Sequence, residues 1–144
     1  MLEYKISIES QPDSKEVDFI NKQLHEFNVG KIGDYQYTPL FLLLHDSQKK
    51  VVGGLEGFIG LGWFHIATLW VAQELRNDGY GKALLLTAEQ EAANRGCLHA
   101  YVFTYSFQAP GFYQHLGYEV FGELEDFPPG HRRYFLKKSL QKNT

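Results

Sequence analysis

The stretch Leu69-Trp70-Val71-Ala72-Gln73-Glu74-Leu75-Arg76-Asn77-Asp78-Gly79-Tyr80-Gly81 carries the strongest structural signal in the chain. It is an apolar strand pattern that ends in a glycine-containing turn, and a helical pattern begins directly after the turn. A turn of this kind points several backbone N–H groups at one spot, and the helix dipole adds positive potential there. The stretch therefore predicts a binding site for a phosphate group.

The patterns on either side of this turn predict an α+β fold. They indicate strands at residues 5–8, 40–45, 51–59, 64–71, 99–104, 118–124 and 132–137, and helices at residues 14–27, 80–95 and 110–116. Asp13 is placed to cap the first helix, Gly96 follows the end of the second, and residues 28–37 form an irregular connection. Only the connections through the two later helices require parallel neighbours. We expect one domain, residues 1–144, with a mixed, mostly antiparallel sheet flanked by helices.

The composition argues against several classes of partner and site. The 144 residues carry a net charge of -3, so no overall basic field favours nucleic acid or an acidic membrane. The longest apolar run, residues 40–44, is too short to span a bilayer, and no leader pattern is present, so we expect a cytoplasmic protein. The lone Cys97 cannot form an internal disulfide, and no Cys or His cluster supports a metal site.

Two well-known phosphate loops do not fit the turn. A Walker loop needs a glycine five residues before its Gly-Lys pair and a Ser or Thr after it, but Gly81-Lys82 has Arg76 and Ala83 there. A dinucleotide-binding loop needs a small residue at position 84, where Leu84 is too large.

The remaining pattern, R-x-x-G-x-G from Arg76 to Gly81, closely resembles the acyl-coenzyme A loop of the GCN5-related N-acetyltransferase (GNAT) family. A second family motif matches further along the chain, as Ser106-x-x-Ala109-x-x-Phe112-Tyr113 followed by Leu116-Gly117-Tyr118. Together the motifs cover about residues 69 to 121. The chain departs from the family at Asn77, which replaces a common glycine, and at Ser106, which replaces an asparagine.

The resemblance implies that the chain uses acetyl-CoA as cosubstrate, with no metal. The pyrophosphate would lie on the backbone amides of the loop, and the pantetheine arm would pair with the strand that precedes it. Arg76 has two interpretations, a phosphate contact or a surface arginine at the strand end. The residues expected at the cofactor are Leu69, Trp70, Val71, Arg76, Asn77, Asp78, Gly79, Tyr80, Gly81, Lys82, Ser106 and Ala109.

The resemblance also places Tyr113 at the position of the family's general acid, which protonates the leaving thiolate. A base must take a proton from the amine, and either Glu56 or His65 can serve, because both lie on strands expected to flank the acetyl group. The alternatives are a solvent-facing carboxylate and a core histidine. The acceptor pocket is expected between the first helix, residues 28–37 and residues 127–131, with Tyr35, Tyr37, Phe127 and Tyr134 as aromatic walls.

These residues predict an N-acetyltransferase that moves an acetyl group to a primary amine by direct attack. Cys97 lacks the activating surroundings of a nucleophile, so no covalent enzyme intermediate is expected. The alternative is a non-catalytic acyl-CoA-binding regulatory module. The acceptor is a small molecule or a peptide amine, and the resemblance also allows a homodimer, since family members frequently dimerise.

Overall fold

The computed structural model describes residues 3–141 of the chain. The chain divides into two compact units, one ending at Tyr35 and the other beginning at Gln36. No helix in the described range is long and apolar enough to cross a membrane. The prediction of one domain over residues 1–144 stays a prediction.

The first unit contains helix α1, Ser14–Ile32. It begins as predicted after Asp13, whose Oδ1 accepts a hydrogen bond of 2.9 Å from the Lys15 N–H. It ends at Ile32, five residues later than predicted, and is followed by Gly33, where φ is 85°. The prediction of an irregular connection was therefore wrong for residues 28–32, which are helical. A single glycine at position 30 costs a helix only about 1 kcal/mol, and the positive φ of Gly33 is the stronger stop signal.

The strand predicted at residues 5–8 does not form. Residues 3–13 contain no strand, and the side chains of Ile6 and Ile8 are almost fully exposed. Four alternating residues are a weak signal, because a strand is stable only when a neighbour satisfies its backbone groups.

The second unit holds one six-stranded sheet and two helices. Its elements are β1 (Thr38–His45), β2 (Val51–Gly60), β3 (Trp63–Val71), α2 (Tyr80–Asn94), β4 (His99–Tyr105), α3 (Pro110–His115), β5 (Glu119–Glu125) and β6 (Arg132–Ser139). A short 3₁₀ helix, Gln73–Leu75, joins β3 to the loop before α2. The strand order is β1-β2-β3-β4-β6-β5. Each of these strands and helices agrees with its prediction to within two residues, and the mostly antiparallel α+β fold is confirmed.

The two central strands separate part-way along their length. β3 and β4 pair in parallel, as the connection through α2 requires, but the pairing runs only from Trp63 and His99 to Ile66 and Val102. On the other side of β3, the pairing with β2 skips Ala67. A bulge of this kind bends a strand and increases its local twist. β3 and β4 then continue without pairing to each other, which leaves a cleft between their carboxyl ends.

The connection through α3 does not produce parallel neighbours, contrary to prediction. β4 pairs antiparallel with β6, and β5 lies outside β6 at the sheet edge. Leu136 of β6 is fully buried, whereas most of β5 is exposed. β6 therefore holds the inner position, where Leu136 packs into the core, and β5 holds the exposed edge.

The core lies on one face of the sheet, beneath α2. Leu85, Ala88 and Ala92 of α2 are fully buried, and their spacing places them on one side of the helix. They belong to one cluster with side chains from the sheet and from α3: Phe64, Ile66, Ala100, Val102, Leu136 and Tyr113.

One buried ionic group joins α2 to the sheet. Glu89 accepts a hydrogen bond of 2.7 Å from the Tyr118 hydroxyl and another of 2.8 Å from Lys138 Nζ. The side chains of Glu89 and Lys138 are 8% and 21% exposed. Burial, together with the Glu89 carboxylate, raises the pKa of Tyr118 far above its usual range. The contacts hold the start of β5 and the end of β6 against the helix.

Candidate active site

The loop before α2 has the backbone shape of an anion cradle. Asn77 and Gly79 both have positive φ, 68° and 90°. Asparagine tolerates this conformation better than most residues, which explains how it can stand where related loops have glycine. A Cβ on Gly79 would meet no atom within 4 Å. The position therefore favours glycine for its backbone angle and for the open approach that it leaves.

The backbone N–H groups of this loop are free to bind a ligand. Within residues 3–141, the amides of residues 77–82 donate no hydrogen bond, and the first amide of the helix with a partner is that of Ala83, which donates to the Gly79 carbonyl. The first amides of a helix point along its axis, toward the positive end of its dipole. The side chains of Asp78, Tyr80 and Lys82 are exposed around them.

Arg76 anchors the loop to the strand before it. Its Nε donates a hydrogen bond of 3.0 Å to the Val71 carbonyl, and the side chain is exposed. This contact agrees with the interpretation of Arg76 as a surface arginine at the strand end. Contact between the guanidinium and a phosphate stays a prediction.

The two sequence motifs meet in space. A Cβ on Gly81 would lie 3.5 Å from the Phe112 ring and 3.9 Å from Val71 Cγ2. The start of α2, the end of β3 and the helix that carries Tyr113 therefore converge at the cleft between β3 and β4.

One wall of this cleft is unpaired backbone. The groups of residues 67–71 that face away from β2 have no strand partner, since the β3–β4 pairing stops at Ile66. The Leu69 side chain packs against the core, and Trp70 is half exposed. An extended ligand can add to the β3 edge here as a further strand does.

Tyr113 follows Phe112 on α3 and belongs to the core cluster. Its side chain is 8% exposed, and its ring makes edge contacts with the rings of Phe112 and Tyr118. Its hydroxyl forms no hydrogen bond with any residue in 3–141. Burial raises the pKa of Tyr113 to about 12, so the phenol is protonated at neutral pH. It can donate a proton or a hydrogen bond to a ligand atom.

Ser106 and Ala109 connect β4 to α3. The Ser106 N–H donates to the Arg132 carbonyl at 2.8 Å, and the Arg132 N–H donates to Ser106 Oγ at 3.0 Å. Ala109 is the cap residue that precedes Pro110 at the start of α3. Ser106 therefore ties the end of β4 to the start of β6, and its hydroxyl proton remains available as a donor.

Both predicted bases lie on the face of the sheet opposite the core. His65 stacks on Tyr101, with ring centroids 4.6 Å apart and planes at 6°. Burial lowers the pKa of His65, and the positive charge of Arg133 lowers it further. Glu56 is half-buried on β2 and pairs with Thr68, just beyond the bulge in β3. Because its pKa is lowered, the His65 imidazole is neutral near pH 7 and able to accept a proton.

Two hollows open beside these residues in the second unit. One, of about 560 Å³, is lined by Tyr105, Phe107, Asp126, Phe127 and Pro128. The other, of about 220 Å³, is lined by Tyr37, Phe58, Gly60, Leu61, Trp63, His65 and Tyr101. Of the aromatic side chains expected in the acceptor pocket, Phe127 and Tyr37 line a hollow. Tyr134 packs against the core instead, because it alternates along β6 with residues of the opposite face.

The family assignment agrees with this geometry. Residues 6–118 match the model of the acetyltransferase (GNAT) family. The chain belongs to the GNAT family. Blasticidin-S acetyltransferase of Streptomyces morookaense is 40% identical over 95 residues, which are 65% of this chain and 70% of that protein. The GNAT chain is accordingly an acyltransferase.

Solved structures agree with the fold. An acetyltransferase from Bacillus cereus superposes with a TM-score of 0.86 at 32% identity, covering 93% of this chain and 98% of its own. An aminoglycoside 6′-N-acetyltransferase complexed with coenzyme A has a TM-score of 0.63 at 19% identity, covering 74% and 75%. The second likeness shows the fold alone. Proteins of the GNAT fold thus include one solved with coenzyme A bound.

The sequence analysis of this GNAT chain missed one charged residue on the face of the sheet opposite the core. Arg133 of β6 lies among the rings of Phe103, Tyr105, Phe127 and Phe135. The signal was present, because aromatic residues alternate along β4 and so share one face of the sheet. What the sequence did not show was that β6, rather than β5, lies beside β4.

Proposed function

We propose that this GNAT protein transfers the acetyl group of acetyl-CoA to the primary amine of a small-molecule acceptor by direct attack. One observation carries the proposal: the loop whose amides at residues 77–82 are free and the helix α3 that carries Tyr113 meet where Gly81 faces the Phe112 ring, beside the end of β3. A phosphate-binding loop and a proton donor beside an unpaired strand edge suit a phosphorylated thioester.

The loop residues hold the cofactor in this proposal. The amides of residues 77–82 bind the pyrophosphate, and the positive φ of Gly79 keeps the loop open to it. The pantetheine arm pairs with the backbone groups of residues 69–71 that face away from β2, apart from the Val71 carbonyl, which accepts from Arg76, and it reaches Ser106 and Ala109 at the end of β4. The side chains of Arg76 and Lys82 add positive charge near the phosphates.

The transfer itself forms one bond and breaks one. The amine nitrogen attacks the thioester carbonyl carbon, a C–N bond forms, and the C–S bond breaks with its electron pair moving to sulfur. A free N–H of β3 near the bulge stabilises the oxyanion, and the Tyr113 hydroxyl donates to the departing sulfur. The proton lost from the amine passes to His65, or to Glu56, directly or through water.

His65 is the better supported of the two bases. It is part of the aromatic surface that lines the smaller hollow, and its lowered pKa keeps the imidazole unprotonated. Glu56 lies closer in register to the β3 bulge. Replacement of each by glutamine, His65→Gln and Glu56→Gln, separates the two roles by their effect on kcat.

No enzyme nucleophile supports a two-step transfer. Cys97 is the only cysteine of the chain, it is buried, and burial raises the pKa of its thiol. It follows α2 at the helix C-terminus, where the dipole disfavours a thiolate. The acetyl group therefore passes directly from sulfur to the acceptor nitrogen.

The acceptor class follows from the hollows and from the relatives. Aromatic walls suit a cationic amine before it loses its proton, and the smaller hollow has such walls beside His65. Blasticidin-S acetyltransferase, 40% identical over the aligned part, bears the name of an antibiotic substrate. We therefore propose an antibiotic or another small amine, with a peptide amine as the less favoured acceptor.

The test is release of coenzyme A thiol from acetyl-CoA in the presence of an amine panel. The panel contains blasticidin S, aminoglycosides, polyamines, amino acids and lysine peptides. We expect turnover with at least one small amine, and none with a Gly79→Glu variant that retains the wild-type circular dichroism spectrum. Tight binding of acetyl-CoA without turnover on any amine would instead favour the regulatory module.

A further inference from the structure

The guanidinium of Arg133 is surrounded by four aromatic rings. Its Cζ lies 4.9 Å from the ring centroid of Phe127, 5.0 Å from Phe103, 5.5 Å from Tyr105 and 5.7 Å from Phe135. We call these rings the aromatic cluster. We propose that Arg133 binds a carboxylate of the acceptor, so that the substrate is an amine that also carries a carboxylate. The inference rests on the proposed function and names its substrate class.

Arg133 is a half-buried arginine without a carboxylate partner among the described residues. Its Nε is the one side-chain nitrogen or oxygen in residues 3–141 that is buried without a hydrogen bond. No carboxylate in that range forms an ion pair with it, whereas its neighbour Arg132 pairs with Glu123 at 2.8 Å and Glu125 at 3.4 Å. An unpaired buried donor is costly to maintain in a fold. A ligand anion on the two Nη nitrogens, which are not buried, would supply the missing counter-charge.

The position of Arg133 excludes the cofactor phosphates as that anion. Arg133 and Phe135 alternate along β6 with Tyr134 and Leu136, which pack into the core beneath α2. The phosphate loop leads into α2, on the core face. Arg133 therefore lies on the opposite face of the sheet, together with the predicted base and the two hollows.

A planar carboxylate matches the shape of this site. The guanidinium fork binds a carboxylate through two parallel N–H···O bonds. The aromatic cluster confines the fork and reduces its contact with water, which strengthens its attraction to an anion. Phe127 of the cluster also lines the larger hollow, so a ligand in that hollow lies beside the guanidinium.

The positions of His65 and Arg133 limit the distance between the amine and the carboxylate of the acceptor. The Phe103 ring centroid lies 5.3 Å from the His65 ring centroid and 5.0 Å from Arg133 Cζ, so His65 and Arg133 are at most about 10 Å apart. A molecule with its amine near His65 and its carboxylate on Arg133 must be short. Amino acids and small conjugates of similar length fit this spacing.

The experiment compares amino acids with the amines that differ from them by loss of the carboxylate. The pairs are lysine and cadaverine, ornithine and putrescine, and arginine and agmatine, each assayed with saturating acetyl-CoA. At pH 8 His65 is neutral whether or not Arg133 is present. We expect kcat/KM to be at least about tenfold higher for the carboxylated member of a reactive pair, the effect of a hydrogen bond to a charged group.

Variants assign this preference to one side chain. Arg133→Met should abolish the preference, and Arg133→Lys, which keeps the charge but loses the planar fork, should retain only part of it. Arg132→Met is the matched control, because Arg132 precedes Arg133 on β6 and pairs with glutamates of β5; it should keep the full preference. The ratio within a pair does not depend on the fraction of folded enzyme.

Two outcomes overturn the proposal. One is a carboxylate preference that survives Arg133→Met. The other is a wild-type protein for which no carboxylated amine reacts or binds better than its partner, with binding measured calorimetrically on the enzyme saturated with coenzyme A. Failure of the proposed function is distinguishable, since it requires that no amine at all, including the decarboxylated ones, releases coenzyme A.

Discussion

Replacing the Tyr113 hydroxyl by hydrogen tests our proposal that this hydroxyl donates to the leaving sulfur of coenzyme A. Tyr113→Phe removes one oxygen from a side chain that is 8% exposed and forms no hydrogen bond within residues 3–141. The ring keeps its edge contacts with Phe112 and Tyr118. The variant should therefore fold as the wild type does and should bind acetyl-CoA with little change in affinity.

The expected loss of rate follows from the acidity of the phenol. Burial raises the pKa of Tyr113 to about 12, whereas an alkyl thiol has a pKa of about 8.5, so complete proton transfer to free thiolate would be uphill by about 5 kcal/mol. Tyr113 therefore acts mainly by donating a hydrogen bond to the developing negative sulfur. Such a bond contributes about 1.5 to 3 kcal/mol, which corresponds to a decrease in kcat of roughly 10- to 150-fold.

Single-turnover kinetics measure this loss without interference from product release. Enzyme saturated with acetyl-CoA is mixed with a reactive amine, and thiol formation is followed spectrophotometrically. Tyr134→Phe is the control, because Tyr134 is a second tyrosine that packs against the core and has no role in the proposed transfer; its rate should match that of the wild type. A Tyr113→Phe rate within threefold of the wild type would refute the assignment, and a loss well above a thousandfold would refute the hydrogen-bond argument in favour of full proton transfer.

Three further substitutions test the loop, the core and the base. Gly79→Glu should abolish acetyl-CoA binding in calorimetry while the protein stays folded, because it adds bulk and negative charge to the phosphate cradle; retained affinity would contradict the loop assignment. Glu89→Ala should lower the free energy of urea unfolding by about 3 kcal/mol, since Lys138 loses its buried partner, whereas Glu91→Ala in an exposed pair should cost about 0.5 kcal/mol or less. If His65 is the base, kcat/KM should fall as the pH decreases through the pKa of His65, which lies below the usual 6.5. The His65→Gln variant should lose this decrease of kcat/KM at low pH. An unchanged pH profile in the variant would exclude the role.

The backbone conformation of the loop before α2 was predictable because its signal is local. Strand, turn and helix follow one another within residues 69–94, and the glycine and asparagine positions with positive φ are visible in the sequence. The cap at Asp13 and the stop at Gly96 were predictable for the same reason, since each depends on neighbouring residues only.

The errors lie where distant residues decide the outcome. The short alternation at residues 5–8 does not form a strand, because a pattern of four residues says nothing about a pairing partner. β6 lies between β4 and β5, and Leu136 of β6 is fully buried there. This strand order depends on contacts between residues that are distant in the sequence. That inner position brings Arg133 beside the aromatic side chains of β4, so the acceptor face could not be assembled from the sequence until the strand order was known.

Transfer of a labelled acetyl group tests the central claim most directly. The enzyme is incubated with acetyl-CoA bearing a deuterated acetyl group and with a reactive amine, and both the protein and the small molecules are analysed by mass spectrometry. Direct attack predicts that the label appears on the nitrogen of the acceptor and that the protein, including Cys97, stays unlabelled when the amine is omitted. Label on the protein, or label recovered only as free acetate, would contradict the account.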